Sequence, residues 1–187
     1  MLDDLDALDA LDLATGEFGR YLGGVTAGQL ALPTPCDEWD VHYLIAHVVG
    51  GNRFAAHVLD GRSSSEAIEL IMSTAQLGDR PGDDFASTAA EQRRRFRADG
   101  GLQRSVDHPL GRISTRRFLG LRIFDCTLHA WDLAVATGAD TALDPALVEA
   151  VLRIMRSEPA GIGFGLEPTA ASDGTPQQQM LALAGRA

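Results

Sequence analysis

The stretch 118–135 most constrains what this chain can fold into, because it is long, mostly apolar and carries its polar groups at helical spacing. After Arg122, its acidic and histidine side chains are Asp125, His129 and Asp132, at positions i, i+4 and i+7. Residues four apart lie on the same face of a helix, with Cβ atoms roughly 6 Å apart. The spacing therefore predicts a buried helix with one polar stripe.

A second apolar stretch, 43–51, predicts a complementary helix. Between Leu44 and Gly51, His47 is the one titratable side chain. Gly50 and Gly51 lie close by, although a glycine inside a helix costs about 1 kcal/mol relative to alanine. A helix that is apolar on most sides is a buried one. The two glycines indicate that space, or close approach of another helix, is needed beside it.

The rest of the chain repeats the helical pattern, with caps and stop residues between segments. Four main helices are expected near residues 2–22, 40–59, 83–99 and 114–137, and shorter ones near 65–77, 145–158 and 176–184. Residues 101–111 look extended or loop-like, 161–174 looks like a loop, and no set of strands with alternating residues is expected. We therefore predict an all-α four-helix bundle with additional short helices, forming one domain over 1–187 in which 140–187 packs on the bundle.

Composition and charge disfavour several classes of partner. A chain of 187 residues fits one domain with a sizeable core. Its formal net charge of −10 argues against binding to nucleic acid or to anionic membranes. No apolar run is long enough and free enough of charge to span a bilayer, and the first residues are too rich in Asp for a signal peptide. We expect a cytoplasmic protein, with a homodimer left open as its assembly.

The polar stripe needs a partner, because burying a carboxylate alone is costly or shifts its pKa. For Asp125 that partner is either a metal ion or an arginine. His47, Asp125 and His129 would give two imidazoles and one carboxylate, which suits zinc, nickel or iron(II). Three protein ligands leave a position for water or substrate, as in catalytic zinc sites, and Asp132 would then orient an imidazole. Alternatively, His47 is an ordinary hydrogen-bonded core residue.

Two segments of the chain also resemble the signatures of a known family. The first signature, Thr-Pro-x-x-x-Trp-x-Val-x-x-Leu-x-x-His, is filled here by Thr34, Pro35, Trp39, Val41, Leu44 and His47. The second places an acid four residues before His-x-Trp-Asp-Leu, as in 125–138, and the tail 178–186 is similar to those of actinobacterial members. Over essentially its whole length the chain resembles the N-terminal domain family of mycothiol-dependent maleylpyruvate isomerases, which belongs to the DinB-like superfamily of helical bundles.

The resemblance implies a DinB-like bundle in which His47, Asp125 and His129 hold a divalent metal, usually taken as zinc, and in which mycothiol is the thiol. In the isomerase the acid is glutamate. Asp125 is one methylene shorter, so the metal would lie nearer its helix or bind less tightly. The isomerase also carries a second domain that resembles sterol carrier proteins, and we expect this chain to hold the bundle without it. The resemblance therefore supports the scaffold more than the isomerase reaction.

Four further side chains are candidates for binding or reactivity. Arg112 and Arg116, near the start of the fourth main helix, are predicted to bind the carboxylate of a substrate or a thiol cofactor. Cys36 lies near a helix start, where a thiolate is favoured. Cys126 should point about 100° away from Asp125 and is predicted to be a core thiol.

Two functions of different classes follow from these residues. The first is a metal-dependent transferase or isomerase that uses a low-molecular-weight thiol, with mycothiol as the implied thiol and an electrophilic small molecule as its substrate. The second is a non-catalytic, stress-associated module that binds the metal or a small ligand. Whether the chain is an enzyme stays open at this point.

Overall fold

The computed structural model of the protein describes residues 4–74, 77–157 and 174–186, and within these ranges its regular secondary structure is helical apart from one short hairpin. The elements are α1 (Asp4–Leu22), α2 (Val41–Leu59), α3 (Ser64–Thr74), α4 (Pro81–Phe96), β1 (Ser105–His108), β2 (Gly111–Ser114), α5 (Thr115–Thr137), α6 (Pro145–Ser157) and α7 (Pro176–Leu183). The all-α prediction is confirmed. The predicted loop 161–174 lies outside the described residues, apart from its last position. None of the helices in these ranges has the length and apolar character needed to cross a bilayer.

Caps that can be recognised in the sequence set the ends of the two helices that matter most for function. The Asp40 carboxylate accepts a hydrogen bond from the backbone N–H of Tyr43 at 2.7 Å and starts α2. The Ser114 hydroxyl accepts from the N–H of Arg117 at 3.1 Å and starts α5. Such caps satisfy backbone donors that the first turn leaves unpaired. Gly138, with φ 69°, ends α5 in the left-handed conformation that glycine adopts at low cost.

The structure differs from the sequence-based expectation in two places. Helix α4 starts at Pro81 rather than at Asp83 or Asp84, because proline at the first helical position already has a helical φ and needs no N–H partner there. Residues 101–111 were expected to be extended or loop-like, with no paired strands, but they include β1 and the start of the paired strand β2. Each strand has four residues and buries one side chain, so the alternating pattern is too short to be recognised.

Helix α5 lies at the centre of the bundle and is buried on nearly every side. It packs along α1 and α2, α2 packs along α4, and α6 packs against α1, α5 and α7. The Tyr21 hydroxyl ties α1 to the connection before α6, since it lies 2.7 Å from the carbonyl oxygen of Asp140 and 3.1 Å from that of Ala142. This packing places any polar group of α5 in the core. That the whole chain 1–187 is one domain stays a prediction.

The burial of α5 leads to a stability prediction with a matched control on the same helix. Leu133 is fully buried, whereas Val135 is 40% exposed. We expect Leu133→Ala to lower the free energy of unfolding by about 2–5 kcal/mol, because it removes buried contacts and leaves a cavity. Val135→Ala should change it by no more than about 0.5 kcal/mol. Urea unfolding followed by circular dichroism measures both, and equal losses would contradict the assigned burial.

Candidate metal centre

The three side chains predicted as metal ligands meet at one point between α2 and α5. The Nε2 atom of His47 lies 3.2 Å from Oδ1 of Asp125, and the Nε2 atom of His129 lies 3.5 Å from the same oxygen. One donor atom from each of the three residues lies within 4.8 Å of the other two. Asp125 and His129 are adjacent because they are four residues apart on α5, and His47 faces them from α2. The predicted convergence is therefore present.

The spacing of these donor atoms fits a divalent metal ion. Two donors that each lie about 2.1 Å from a tetrahedral zinc ion are about 3.4 Å apart. The two nitrogen-to-oxygen distances of 3.2 and 3.5 Å are close to this value. Two imidazoles and one carboxylate are also a chemically suitable set for zinc, nickel or iron(II). The residues present can thus hold such an ion without a large rearrangement.

Access to the three donors is from the His47 side. The side chains of Asp125 and His129 are only 6% and 8% exposed, whereas that of His47 is 35% exposed. The Trp39 ring packs 4.7 Å from the His47 ring and 5.5 Å from the His129 ring, measured between centroids. Tyr43 packs on Trp39 and is itself exposed. A small molecule would therefore approach the donors past an aromatic rim.

A buried arginine occupies the second oxygen of Asp125. Arg122 donates to Oδ2 of Asp125 at 2.7 Å, and its other nitrogens lie 3.0 Å from Asn52 Oδ1 and 3.3 Å from Gln92 Oε1. The Gln92 amide in turn donates to Asn52 at 2.5 Å. The sequence analysis left a metal ion and an arginine as alternative partners of Asp125. In the structure Arg122 binds Oδ2, while Oδ1 faces the two histidines. The network also satisfies the charge of a guanidinium that is almost fully buried.

Gly51 gives this guanidinium its space. A Cβ atom at position 51 would lie 2.8 Å from Cζ of Arg122, closer than real Cβ atoms approach other heavy atoms. A Cβ at Gly50 would instead make an ordinary contact of 3.6 Å with Ile71. The expectation that a glycine is needed to leave space is thus confirmed for Gly51, which lies against the buried guanidinium of Arg122.

Charges and hydrogen bonds set the protonation of the centre. Burial alone would raise the pKa of Asp125, but the charge of Arg122 and hydrogen bonds from both histidines hold that pKa well below its ordinary value. Burial alone would lower the pKa of His129, yet its contacts with Asp125 and Asp132 hold that pKa well above the ordinary value. Asp125 is therefore an ionised carboxylate. The site attracts positive charge, whether a proton on imidazole or a metal cation.

A second polar cluster lies against the other ring nitrogen of His129. Oδ2 of Asp132 is 2.9 Å from Nδ1 of His129, the contact expected for a residue that orients an imidazole. The Cys36 thiol lies 3.3 Å from the same carboxylate oxygen and 3.9 Å from Nδ1. Arg186 donates to Asp132 and to Cys36. Burial opposes ionisation of Asp132, but hydrogen bonds from His129 and Arg186 outweigh it and lower the pKa of Asp132.

The other predicted residues lie elsewhere. Arg112 is on the hairpin, where it donates to the Ser105 hydroxyl at 2.8 Å. Arg116 is in the first turn of α5, nine residues and so about 13.5 Å along the helix before Asp125. A cofactor-binding role for either arginine stays a prediction. Cys126 is fully buried, as predicted for a core thiol, and burial raises its pKa to about 11.

Two arginines of the site were not singled out from the sequence. Arg122 had a usable signal, because it stands three residues before Asp125 on a helix that is otherwise mostly apolar. Arg186 had none, since it is 54 residues from its partner Asp132. Cys36 was noted only for its position near a helix start, and its approach to His129 depends on how the loop before α2 folds over α5.

The fold and the donor set define an all-α helical bundle with a candidate site of two histidines and one aspartate. More specifically, the chain belongs to the mycothiol maleylpyruvate isomerase N-terminal domain family, whose model matches residues 11–134. Two Mycobacterium tuberculosis proteins, both described only as uncharacterized and coming from two strains, are each 34% identical to it over 192 residues. These matches cover 97% of this chain and 98% of each relative.

Solved structures of the same family share the fold. A crystal structure of the mycothiol-dependent maleylpyruvate isomerase has a TM-score of 0.64 and 18% identity to this chain, and one of its histidine-to-alanine mutants has a TM-score of 0.66 and 19% identity. Each comparison covers 82% of this chain and 68% of the isomerase chain. At this level of identity the likeness establishes the fold.

The contrast between the two glycines of α2 gives a prediction about the arginine network. We expect Gly51→Ala to lower the free energy of unfolding by about 1–3 kcal/mol, because the methyl group displaces a tightly packed buried guanidinium. Gly50→Ala is the matched control, and it should be neutral or stabilising by up to about 1 kcal/mol because alanine favours the helix. Thermal and urea unfolding measure both variants. If Gly51→Ala were as stable as Gly50→Ala, the tight contact with Arg122 would be refuted.

Proposed function

We propose that His47, Asp125 and His129 hold a divalent metal ion, with zinc as the first choice and nickel or iron(II) as alternatives. The observation that carries this proposal is the pair of nitrogen-to-oxygen distances, 3.2 and 3.5 Å, around Oδ1 of Asp125, the carboxylate oxygen that Arg122 does not bind. Three protein donors leave a coordination position for a further ligand, which is typical of catalytic rather than structural zinc. The 35% exposure of the His47 side chain supports access of that ligand from solvent.

We propose further that the added ligand is a low-molecular-weight thiol, with mycothiol as the candidate. This step is supported by membership of a family that is named for a mycothiol-dependent isomerase. A divalent ion at these donors would lower the pKa of a bound thiol, so that the thiol is a thiolate nucleophile at neutral pH. The reaction would be a transfer or an isomerisation in which the thiol attacks an electrophilic small molecule.

The protein's own residues would prepare the site for this chemistry. Arg122 holds one oxygen of Asp125 and so leaves only Oδ1 available as a ligand. Asp132 binds Nδ1 of His129, which fixes the ring so that Nε2 faces the other donors. Trp39 packs against both imidazoles and would form one wall of the approach to the donor atoms. Arg112 and Arg116 stay candidates for binding the carboxylate of a substrate or the thiol, and a cytoplasmic location, no nucleic-acid partner and a homodimer stay predictions.

The metal role predicts a stoichiometry that depends on His47. The protein as purified, or after incubation with zinc and removal of excess metal, should contain about one zinc ion per chain by elemental analysis. His47→Ala should reduce this content at least tenfold, because it removes one of three ligands. His42→Ala is the matched control, since His42 is exposed on the same helix and outside the donor set, and it should retain the metal. Equal metal contents in all three proteins would contradict the assignment.

The thiol role predicts a spectroscopic signal and turnover. In cobalt-substituted protein, added mycothiol should produce a sulfur-to-cobalt charge-transfer band, and His129→Ala should abolish it. The metal-loaded protein should also conjugate or isomerise an electrophile such as maleylpyruvate only when mycothiol is present. A cobalt spectrum that does not respond to mycothiol would contradict the thiol role. Thiol binding without turnover of any electrophile would favour the non-catalytic binding module instead.

A further inference from the structure

A guanidinium from the end of the described chain clamps the carboxylate behind His129. Nε of Arg186 lies 2.8 Å from Oδ1 of Asp132, and one terminal nitrogen lies 3.1 Å from Oδ2. The same terminal nitrogen lies 3.1 Å from the Cys36 sulfur. Asp132 is completely buried, so this two-point contact supplies most of the compensation for its charge besides His129.

Asp132 connects Arg186 to His129, which is one of the proposed metal ligands. Both carboxylate oxygens of Asp132 accept hydrogen bonds from Arg186. Oδ2 is therefore placed as an acceptor for the hydrogen on Nδ1 of His129 across the 2.9 Å contact. A hydrogen on Nδ1 leaves the lone pair of a neutral imidazole on Nε2, which is the atom that faces Asp125. Arg186 fixes the position of Asp132, and Asp132 fixes the ring orientation and tautomer of His129.

The backbone conformation at the end of α7 sets the direction of the Arg186 side chain. Two residues after the end of α7, Gly185 lies in the left-handed region at φ 67°. The N–H of Gly185 donates to the carbonyl of Ala182 at 3.1 Å, and the N–H of Arg186 donates to the carbonyl of Leu181 at 2.8 Å. This pair of bonds is the Schellman motif, which ends a helix and turns the chain in a defined direction. The direction of the Arg186 side chain therefore depends on how α7 is docked.

The cluster on the Nδ1 side is better explained by a clamp than by a second metal. Cys36, His129 and Asp132 also bring three potential ligand atoms within 4.8 Å of one another. However, Arg186 already places a permanent cation on both oxygens of Asp132 and on the thiol. A metal ion there would have to displace this guanidinium and take the nitrogen that Asp132 now binds.

We propose that Arg186 is a positioning residue that couples the docking of α7 to metal binding at His47, Asp125 and His129. Arg186 lies outside the residues 11–134 that match the family model, whereas its partners Asp132 and Cys36 lie within them. Coupling of this kind is reciprocal: docking strengthens metal binding by the same factor by which metal strengthens docking. The inference rests on the proposed metal site and adds a structural element that controls its affinity.

Zinc affinity and backbone exchange test the coupling without any activity assay. Competition with a chromophoric chelator should show that Arg186→Gln weakens zinc binding by about 10–100-fold, the usual effect of losing a residue that supports a ligand. Hydrogen exchange of the α7 amides should slow when zinc is added to the wild type, and zinc should have no such effect on Arg186→Gln. Arg156→Gln is the matched control, because Arg156 is exposed and binds α7 through Gln179 at 3.0 Å, away from the site. It should keep zinc affinity within about twofold of the wild type.

A second set of variants keeps the test valid if Arg186→Gln does not fold. Asp132→Asn removes the buried charge that Arg186 compensates, and the double variant Asp132→Asn/Arg186→Gln should bind zinc as Asp132→Asn does. Wild-type zinc affinity in Arg186→Gln, or a double variant that binds zinc more weakly than Asp132→Asn does, would overturn the coupling. A wild-type protein that binds no divalent metal would overturn the proposed function and this inference together, and that result needs no variant to be seen.

Discussion

The ionised carboxylate of Asp125 in the middle of α5 is the constraint on which the rest of the site depends. An isolated charge at this depth would be strongly destabilising, so neighbouring elements supply partners to both of its oxygens. Arg122 takes Oδ2 and is itself satisfied by Asn52 and Gln92. The two histidines face Oδ1. Three features help to hold the Asp125 carboxylate. They are the space beside Gly51, the Asn52 and Gln92 amides that bind Arg122, and the position of α2 against α5.

The same principle acts on the other side of His129, where Asp132 is as deeply buried as Asp125 and is paired with Arg186. Each carboxylate thus binds one arginine and one or two histidines, and the imidazole of His129 lies between them. This arrangement gives the ring a fixed orientation from two independent directions. It also explains why a helix at the centre of the bundle tolerates several charged groups, because each has a charged or hydrogen-bonding partner within the described residues.

The sequence was informative where a feature is local and periodic. The helical spacing of Asp125 and His129 and the expected helices near 40–59 and 114–137 depend on neighbours a few residues apart. The structure has these helices, with Asp40 and Ser114 as their N-terminal caps. The hairpin formed by β1 and β2 was missed because four-residue strands carry too little alternation. The clamp by Arg186 and the approach of Cys36 join residues 54 and 93 or more positions apart, which no local pattern encodes. The resemblance to the family located the site, and the coordinates supplied the partners that hold it.

The central claim is that metal binds to the Nε2 side of His129, with His47 and Asp125, and not to the Cys36 side. X-ray absorption at the zinc edge of the zinc-loaded protein, with no added thiol, tests this claim most directly. We expect nitrogen and oxygen neighbours at about 2.0–2.2 Å with outer scattering from two imidazole rings, and no sulfur at about 2.3 Å. A sulfur neighbour that disappears in Cys36→Ser, or a spectrum unchanged by His47→Ala, would contradict it.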